Sequence, residues 1–396
     1  ALYGYMWTAF IGIPELMFTS ISGSIILLVY ILVSVLILYL GNILFYLVFG
    51  PRQKENVEVF INVRRFRYLF YVCVFLALTF SVKNLMIQGI SVKDVFSDPL
   101  KISLEYASKR YGNTLIANPF AQFAVILSYV GVLLLGVKYV IDKKVNFRWT
   151  IFGFSPVIFQ MLSQSNKGIV LSALFYLIGG TIVAKSLLGT KVSLMSSRVF
   201  ISLLALVALL VLSIASRMGD VGVGVDTELL FVYIKSYSGG HWLALSAWFR
   251  DYTQFWIDPM QPIGTYTFYP IVSALTDKAY IPIGTYQDYF RVPNVVSTNV
   301  YSHYRGVIYD FKLGGSLLFF LFMGIAMSLV ERLTVYFRNR LAGALYVITI
   351  VYIFNSFGVS IFIYKNTYAL ALISMVIFML IFNKRNEEGS IYNSEL

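Results

Sequence analysis

The sequence predicts an all-α integral membrane protein that crosses the bilayer many times. Hydrophobic residues make up 58% of its 396 residues and charged residues only 13%, whereas about 25% of a soluble domain is charged. Most of the hydrophobic residues fall in runs of roughly 20, the length that a helix needs to cross the hydrocarbon core. Short basic connectors separate these runs, so we predict one transmembrane domain over residues 1–396.

The apolar runs predict nine complete spans and a partial span at residues 1–14. The complete spans are residues 25–49, 66–87, 120–141, 149–163, 169–188, 199–215, 316–330, 341–357 and 368–382. Pro51 follows the first complete span, where its missing backbone N–H stops a helix. The polar tail 383–396 is expected to lack regular structure.

Alternate connectors carry most of the positive charge. Connectors 50–67, 138–148, 185–198, 331–340 and 383–396 hold 17 Lys and Arg and 7 Asp and Glu, which is +10 of the total charge of +12. Because cytoplasmic loops are enriched in Lys and Arg, these connectors and the C-terminus are predicted to be cytoplasmic. The positive charge therefore indicates topology, and we expect no nucleic-acid partner.

The long stretch 216–315 falls on the outer side and is neither a span nor a short basic connector. It contains both histidines, His241 and His303, and 20 aromatic residues among its first 98. Aromatic side chains suit either the membrane interface or a wall for sugar rings, and both interpretations stay open. Residues 229–249 are too polar for an ordinary span, so we predict an interfacial or re-entrant helix there.

Ionisable residues at the ends of spans are the strongest indication of a site. Arg217 follows one span, Lys167 lies in the turn of a hairpin, and His303, Arg305 and Asp310 precede another span. Guanidinium groups bind phosphate oxygens through paired hydrogen bonds, and a histidine exchanges a proton near neutral pH. The alternatives are cations that reach lipid phosphates at the interface and a structural, hydrogen-bonded histidine.

Several signatures of metal and nucleotide chemistry are missing from the sequence. It has no G-x-x-x-x-G-K-[ST] phosphate loop, no H-E-x-x-H zinc motif, no G-x-S-x-G nucleophile elbow and no D-x-D. We therefore expect no metal, no cofactor, and chemistry on a membrane-borne donor that is linked through phosphate. Arg250 either contacts such a donor or forms a local ion pair with Asp251.

The run before the span at 316–330 resembles the Wzy family of oligosaccharide repeat-unit polymerases, which build bacterial O-antigen, capsule and related polysaccharides. The resemblance rests on N-V-Y-S-H-Y-R at residues 299–305, followed by Asp310-Phe311 and Gly314-Gly315. A long outer loop late in the chain, followed by three spans, also fits the family. The chain differs from the family pattern at Ser302, where Thr is commoner, at Lys312, where Gly is commoner, and at Lys167, where many members have Arg.

The resemblance implies a GT-C-like helical glycosyltransferase in the bacterial inner membrane, with its active site on the periplasmic side. Its substrates would be oligosaccharides carried on undecaprenyl pyrophosphate, and the carrier itself would be the leaving group. Its partners would be membrane lipids, a chain-length regulator and a flippase. The family is expected to need no metal and no cofactor beyond the lipid carrier.

On this hypothesis, Arg217 and Arg305, helped by Lys167, bind the pyrophosphate and stabilise charge as the glycosidic bond breaks. His303 accepts the proton of the attacking sugar hydroxyl. Substrate contacts or orienting roles fall to Arg250, Asn299, Tyr301 and Asp310. Two alternatives stay open: an O-antigen ligase, which transfers the polymer from the same donor to the lipid A core, and a lipid-linked oligosaccharide transporter.

Overall fold

A computed structural model describes residues 2–17, 24–50, 57–112, 114–142, 147–164, 167–190, 227–255, 261–280, 286, 288–292 and 296–386. The structure is about 81% helical, which confirms the all-α class. The four strands of the described part form two short antiparallel pairs. The predicted span 199–215 and the tail beyond residue 386 lie outside the described residues.

The described chain contains α-helices, four strands and one short 3-10 turn at Ile361–Ile363. The helices are α1 (Leu2–Met17), α2 (Ile25–Phe49), α3 (Val63–Ile87), α4 (Val92–Ser97), α5 (Pro99–Tyr111), α6 (Pro119–Ile141), α7 (Phe147–Gln164), α8 (Lys167–Leu188), α9 (Thr227–Phe255), α10 (Thr265–Leu275), α11 (His303–Val335), α12 (Arg340–Asn355) and α13 (Lys365–Ile381). The strands are β1 (Val57–Ile61), β2 (Phe290–Val292), β3 (Val296–Thr298) and β4 (Phe382–Asn386).

Among the described residues, five helices are long and apolar enough to cross a membrane. They are α2, α3, α6, α11 and residues Gly168–Leu188 of α8. The helices α12 and α13 are shorter apolar helices. The described part therefore supports a multi-pass membrane protein, whereas the predicted number of spans stays a prediction.

Asparagine side chains define where two of these membrane helices begin. Asn62 precedes α3 and accepts the N–H of Arg65 at 3.0 Å, and Asn118 precedes α6 and accepts the N–H of Ala121 at 3.1 Å. A side-chain acceptor at this position satisfies one of the N–H groups that a helix leaves unpaired at its start. Pro119 then occupies the first turn of α6, where its missing N–H removes no hydrogen bond.

The chain divides into two compact units. The first contains Ala1–Pro51, Met218–Leu329 and Tyr352–Lys365. The second contains Arg52–Arg217, Val330–Val351 and Asn366–Leu396. The helix α11 begins in the first unit and ends in the second, so the residues before and after Leu329 belong to different packing environments.

In the second unit, glycines allow α6 and α8 to approach closely. A methyl group on Gly136 would overlap the carbonyl of Leu177, and a methyl group on Gly180 would overlap the carbonyl of Leu133. The hydroxyl of Thr181 also donates to the carbonyl of Gly136 at 3.3 Å. Membrane helices use small residues in this way because lipid offers no hydrophobic drive for their association.

Several basic connectors of the second unit lie together at one end. The strands β1 and β4, which lie in connectors 50–67 and 383–396, pair antiparallel. Lys384 donates to the carbonyl of Phe337 at 3.0 Å, and Arg340 donates to the carbonyl of Phe382 at 2.6 Å. These contacts join three of the connectors that the charge pattern assigns to one side. The start of the tail, expected to lack regular structure, is a strand because β1 supplies its backbone partners.

In the first unit, α2 packs against the middle of α11 through a second pair of glycines. A methyl group on Gly41 would overlap the carbonyl of Leu321, and a methyl group on Gly324 would overlap the carbonyl of Leu38. Asn42 Nδ2 donates to a serine hydroxyl of α11 at 2.5 Å. The two helices are therefore fixed in register along the contact.

Much of the predicted outer stretch 216–315 is helical where it is described. The interfacial helix predicted at 229–249 corresponds to α9, which is longer, and α10 follows it. The prediction placed a loop up to residue 315, but α11 begins at His303 and contains a break at Lys312, which has φ 59° and ψ −179°. The hydroxyl of Ser316 donates to the carbonyl of Lys312 at 2.7 Å, and that of Tyr30 donates to the carbonyl of Leu313 at 3.1 Å. Side chains thus pair with the backbone carbonyls at and directly after the break.

Candidate functional site

Arg305, in the first turn of α11, forms the centre of a buried polar cluster. Its Nη1 and Nη2 donate to the two carboxylate oxygens of Asp288 at 2.8 and 3.1 Å. The guanidinium carbon lies 4.2 Å from the ring centroids of both Tyr286 and Tyr301. Cations are attracted to the faces of aromatic rings, so two rings and one carboxylate surround this charge.

Two further aromatic side chains close the cluster. The guanidinium carbon lies 5.5 Å from the ring of Trp248 and 5.3 Å from that of Tyr309. Arg305 Nη2 also donates to the Tyr309 hydroxyl at 3.3 Å, which in turn accepts the indole N–H of Trp248 at 2.9 Å. We use the name Arg305 cluster for Trp248, Tyr286, Asp288, Tyr301, Arg305 and Tyr309.

Solvent reaches the ion pair at the centre of the Arg305 cluster from the side of Asp288. The side chain of Arg305 is 7% exposed, whereas that of Asp288 is 55% exposed. Partial burial of Asp288 raises its pKa. The hydrogen bonds from Arg305 and the positive charge of Arg305 lower it by more, so the pKa of Asp288 lies below its usual value. The carboxylate is therefore the solvent-facing half of the pair, and it stays ionised at neutral pH.

Asn299 and Tyr301 hold the backbone that carries Asp288. Asn299 Nδ2 donates to the carbonyl of Tyr286 at 3.3 Å, and the hydroxyl of Tyr301 donates to the carbonyl of Asp288 at 3.1 Å. The sequence predicts substrate contacts or orienting roles for both residues. Their hydrogen bonds are of the orienting kind, because they fix the segment that places the carboxylate opposite Arg305.

Asp310 joins α11 to the start of α10. One of its carboxylate oxygens accepts the N–H of Tyr266 at 3.0 Å, and the N–H groups of Gly264 and Thr267 also face the carboxylate. The start of a helix carries partial positive charge and unpaired N–H groups, so Asp310 caps α10. Gly306, one turn earlier, allows this approach, because a methyl group there would lie 3.0 Å from the carbonyl of Tyr266.

His303 is enclosed rather than open to a ligand. It is 1% exposed, and its Nδ1 lies 2.9 Å from the carbonyl of Ser356 while its Nε2 lies 3.1 Å from the hydroxyl of Tyr3. A carbonyl only accepts, so Nδ1 carries the proton and Nε2 accepts from Tyr3. Around the ring lie the aromatic side chains of Tyr3, Trp7, Tyr304, Phe320 and Tyr352. This geometry fits the structural alternative for His303 better than a role as catalytic base.

The structure describes the side chain of one of the three other predicted cations, Arg250. Arg250 has a side chain that is 74% exposed and lies 3.6 Å from the carboxylate of Asp251, which is the local ion pair that the sequence left as an alternative. Lys167 begins α8 in the second unit. Arg217 lies outside the described residues.

Asp288 and Gly306 are the site residues that sequence reasoning missed. Asp288 lies 17 residues before Arg305, in a stretch with no periodicity that would indicate which side chains meet. Its neighbours Tyr286 and Tyr289 are among the 20 aromatic residues of the outer stretch, so a carboxylate between tyrosines is the available signal. Gly306 directly follows the predicted arginine, and a glycine at that position indicates a close approach of backbone.

The described residues contain no group of three or more His, Cys, Asp or Glu side chains that could hold a metal ion. The chemistry of the Arg305 cluster is therefore built from one guanidinium, one solvent-facing carboxylate and four aromatic rings. No protein-family model matches the chain, and neither a curated protein nor a solved structure is similar to it.

Proposed function

We propose that the chain is a glycosyltransferase that polymerises lipid-pyrophosphate-linked oligosaccharide repeat units at the outer face of the bacterial inner membrane. One observation carries the proposal: the arginine of the N-V-Y-S-H-Y-R run lies inside an aromatic cluster and is paired with a carboxylate that faces solvent. A buried cation of this kind suits a diphosphate, and the surrounding rings suit a sugar.

The pyrophosphate of the donor would take the position of Asp288 on Arg305. Phosphate and carboxylate oxygens both match the paired N–H groups of a guanidinium. The exchange is feasible because Asp288 is more than half exposed and can turn to water, whereas Arg305 is held by rings on several sides. A cation that is fixed in a water-poor site stabilises developing charge on a leaving group without reorganisation.

Asp288, once released, is the best placed group to accept the proton of the acceptor hydroxyl. The hydroxyl oxygen forms a bond to the anomeric carbon as the bond from that carbon to the pyrophosphate oxygen breaks. The proton moves to the carboxylate, and the electron pair leaves with the lipid pyrophosphate, whose charge Arg305 balances. This assignment replaces His303, whose two nitrogens are already engaged.

An apolar groove in the same unit suits the lipid part of the donor. It has a volume of about 420 Å³ and lies between α1 and α2, with Ile11, Leu28 and Leu32 among its lining residues. Trp7, which also lines it, packs edge-on against Tyr304 with ring centroids 4.8 Å apart. Tyr304 precedes Arg305 directly, so the groove adjoins the segment that carries the cation.

The proposal is tested with the full chain in lipid nanodiscs and a purified lipid-linked repeat unit, with no nucleotide sugar added. The wild type should extend the repeat unit into a ladder of lipid-linked polymers. Arg305→Ala should lower the rate by about 10²–10³-fold, as expected for loss of one charge-stabilising group. Arg291→Ala is the matched control, because Arg291 also lies over a tyrosine ring, at 5.2 Å, but is exposed.

The same assay separates the alternatives. Transfer of the polymer only to a lipid A core acceptor would indicate the ligase, and movement of the lipid-linked repeat unit across the bilayer without a new glycosidic bond would indicate the transporter. Full polymerase activity in the Arg305→Ala protein would contradict the role given to the cluster.

A further inference from the structure

A second buried arginine, Arg338, lies in the short connection between α11 and α12. It is 6% exposed, and it makes no hydrogen bond or ion pair with the described residues. A cation with little access to water and no partner in the protein is unfavourable, so a protein that keeps one needs a reason. The backbone of Arg338 is also unfavourable. Its φ of 47° is in the left-handed region, which costs a non-glycine residue about 1–2 kcal/mol.

Arg338 lines a cavity of about 450 Å³ in the second unit. The other lining residues are Ile182, Ser186, Gly189, Thr190, Glu331, Val335, Tyr336 and Tyr346. Gly189 makes room for the guanidinium, since a methyl group there would lie 2.8 Å from an Arg338 nitrogen. The cavity therefore combines one cation, one carboxylate and two aliphatic hydroxyls with apolar walls.

The cavity lies near the ends of the helices that form it. Its lining residues come from the last turns of α8 and α11 and from the start of α12, and both α8 and α11 are long and apolar enough to cross a membrane. The basic connectors that contain Arg340 and Lys384 lie at the same end of the unit. Basic cavities at such helix ends bind phosphate-bearing head groups.

Glu331 makes the cavity more selective than a simple anion site. It forms no ion pair within 4.0 Å with Arg338, although both side chains line the cavity. A ligand that carries a phosphate and an ammonium a few bonds apart would satisfy both charges at once. A ligand with a phosphate alone would place its negative charge near an uncompensated carboxylate.

We propose that this cavity binds the head group of a membrane lipid of the phosphoethanolamine type, with the phosphate on Arg338 and the ammonium on Glu331. The hydroxyls of Ser186 and Thr190 are additional donors for the phosphate. The proposal is independent of the glycosyltransferase chemistry, because it uses residues of the second unit alone.

The test uses delipidated full-length protein in detergent and native mass spectrometry with four probes: phosphatidylethanolamine, phosphatidylglycerol, diacylglycerol and inorganic phosphate. The wild type should bind phosphatidylethanolamine most tightly and diacylglycerol least. Arg338→Asn should weaken phosphatidylethanolamine binding roughly tenfold to a hundredfold, as for loss of a hydrogen-bonded charge. Asparagine is chosen because it tolerates the left-handed backbone. Arg385→Asn, which changes an exposed arginine at the same end, should leave binding unchanged.

Glu331→Gln provides the second, independent measurement. It should abolish the preference for phosphatidylethanolamine over phosphatidylglycerol while Arg338-dependent binding persists. If Arg338→Asn fails to fold, Glu331→Gln still tests the proposal. Arg338→Lys would then keep the positive charge but lose the paired hydrogen bonds that the guanidinium is proposed to donate to the phosphate. Equal binding by wild type and Arg338→Asn, or a wild-type preference for phosphatidylglycerol, would overturn the proposal. Displacement of the lipid by millimolar inorganic phosphate would also count against a head-group site.

Discussion

Arg305 and Arg338 are each 6% exposed, yet their surroundings differ in every other respect. Arg305 has a bidentate carboxylate partner and four aromatic rings. Arg338 lines a cavity and makes no ion pair with the described residues. Equal burial therefore does not mean an equal role. The charge of Arg305 is balanced by Asp288 within the protein, whereas no carboxylate of the described residues pairs with Arg338. On our proposals, a ligand would exchange with Asp288 at Arg305 and would supply the missing counter-charge at Arg338.

The largest expected effect tests whether exchange occurs at Arg305. Asp288→Asn keeps the shape of the side chain but removes the charge and the ability to accept a proton. We expect kcat to fall by about 10²–10⁴-fold, as for loss of a general base, whereas KM for the lipid-linked donor should fall or stay constant because Arg305 no longer needs to release a carboxylate. Steady-state kinetics on the purified full chain would measure the two constants separately.

A drop in kcat accompanied by a rise in KM would contradict this prediction, because it would mean that Asp288 binds the donor rather than competes with it. Asp288→Glu is the conservative control. It restores a carboxylate and should recover part of kcat if proton transfer is the role of this residue.

His303 offers a way to separate structure from catalysis next to the Arg305 cluster. His303→Ala removes the ring donor to the buried Ser356 carbonyl, which keeps the backbone N–H of residue 303 at 3.0 Å, and leaves a void among aromatic rings. We expect a loss of about 1–3 kcal/mol in the free energy of unfolding, with the rate per folded molecule changed far less than by Asp288→Asn. Thermal unfolding and activity normalised to folded protein would be measured together. A fully folded protein without activity would restore His303 as a catalytic residue.

The two arginines should respond to removal with opposite signs. Arg305→Met breaks the paired hydrogen bonds to Asp288 and should destabilise the chain by about 1–2 kcal/mol. Arg338→Gly removes an unpaired charge and relieves a left-handed backbone, so it should stabilise delipidated protein by about 0.5–1 kcal/mol. Thermal unfolding of both variants in one detergent would check this difference. A loss of stability in delipidated Arg338→Gly would show that Arg338 has a partner in the protein and would remove the contrast.

The smallest expected effect is the pH dependence of the Arg305–Asp288 pair. The pKa of Asp288 in the folded protein lies below its usual value, so its contribution to stability is fully present above the unfolded pKa of about 4 and is lost as pH falls through the folded value. The difference in unfolding temperature between wild type and Asp288→Asn should stay constant from pH 8 to 5 and shrink under more acidic conditions. Because Asp288 is half exposed, we expect at most about 1 kcal/mol. A difference that changes near neutral pH would contradict the assignment.

The sequence predicted the parts of this protein that local composition determines. Hydropathy alone locates α2, α3 and α6 within a few residues, because helices in lipid must satisfy their own backbone groups and need about 20 apolar residues to cross. Charge counting grouped the connectors that β1 and β4 join. The run Asn299–Arg305 contains Tyr301 and Arg305, two members of the Arg305 cluster, whose functional role stays a prediction.

The environments of individual side chains were not predictable, because they depend on residues far away in the chain. His303 had the residue type and position of a base, but Tyr3 and Ser356 occupy its nitrogens, and neither follows from the motif. The sequence indicates a substrate ligand or an orienting residue at Asp310, but its carboxylate accepts the N–H of Tyr266 at the start of α10. Arg338 was counted only as a topology charge, since no local pattern indicates its burial or its backbone conformation.

The break at Lys312 has a consequence for how the segment that carries Arg305 can change over evolution. In an uninterrupted helix each residue turns by about 100°, so inserting one residue between the glycine contact with α2 and Arg305 would swing the guanidinium away from Asp288. At Lys312 the helical φ and ψ angles are interrupted, and side chains contact the carbonyls of Lys312 and Leu313. The half before the break is positioned by Asp288 and by the start of α10, and the half after it by α2. An insertion after the break should therefore turn Arg305 less than the same insertion in an uninterrupted helix.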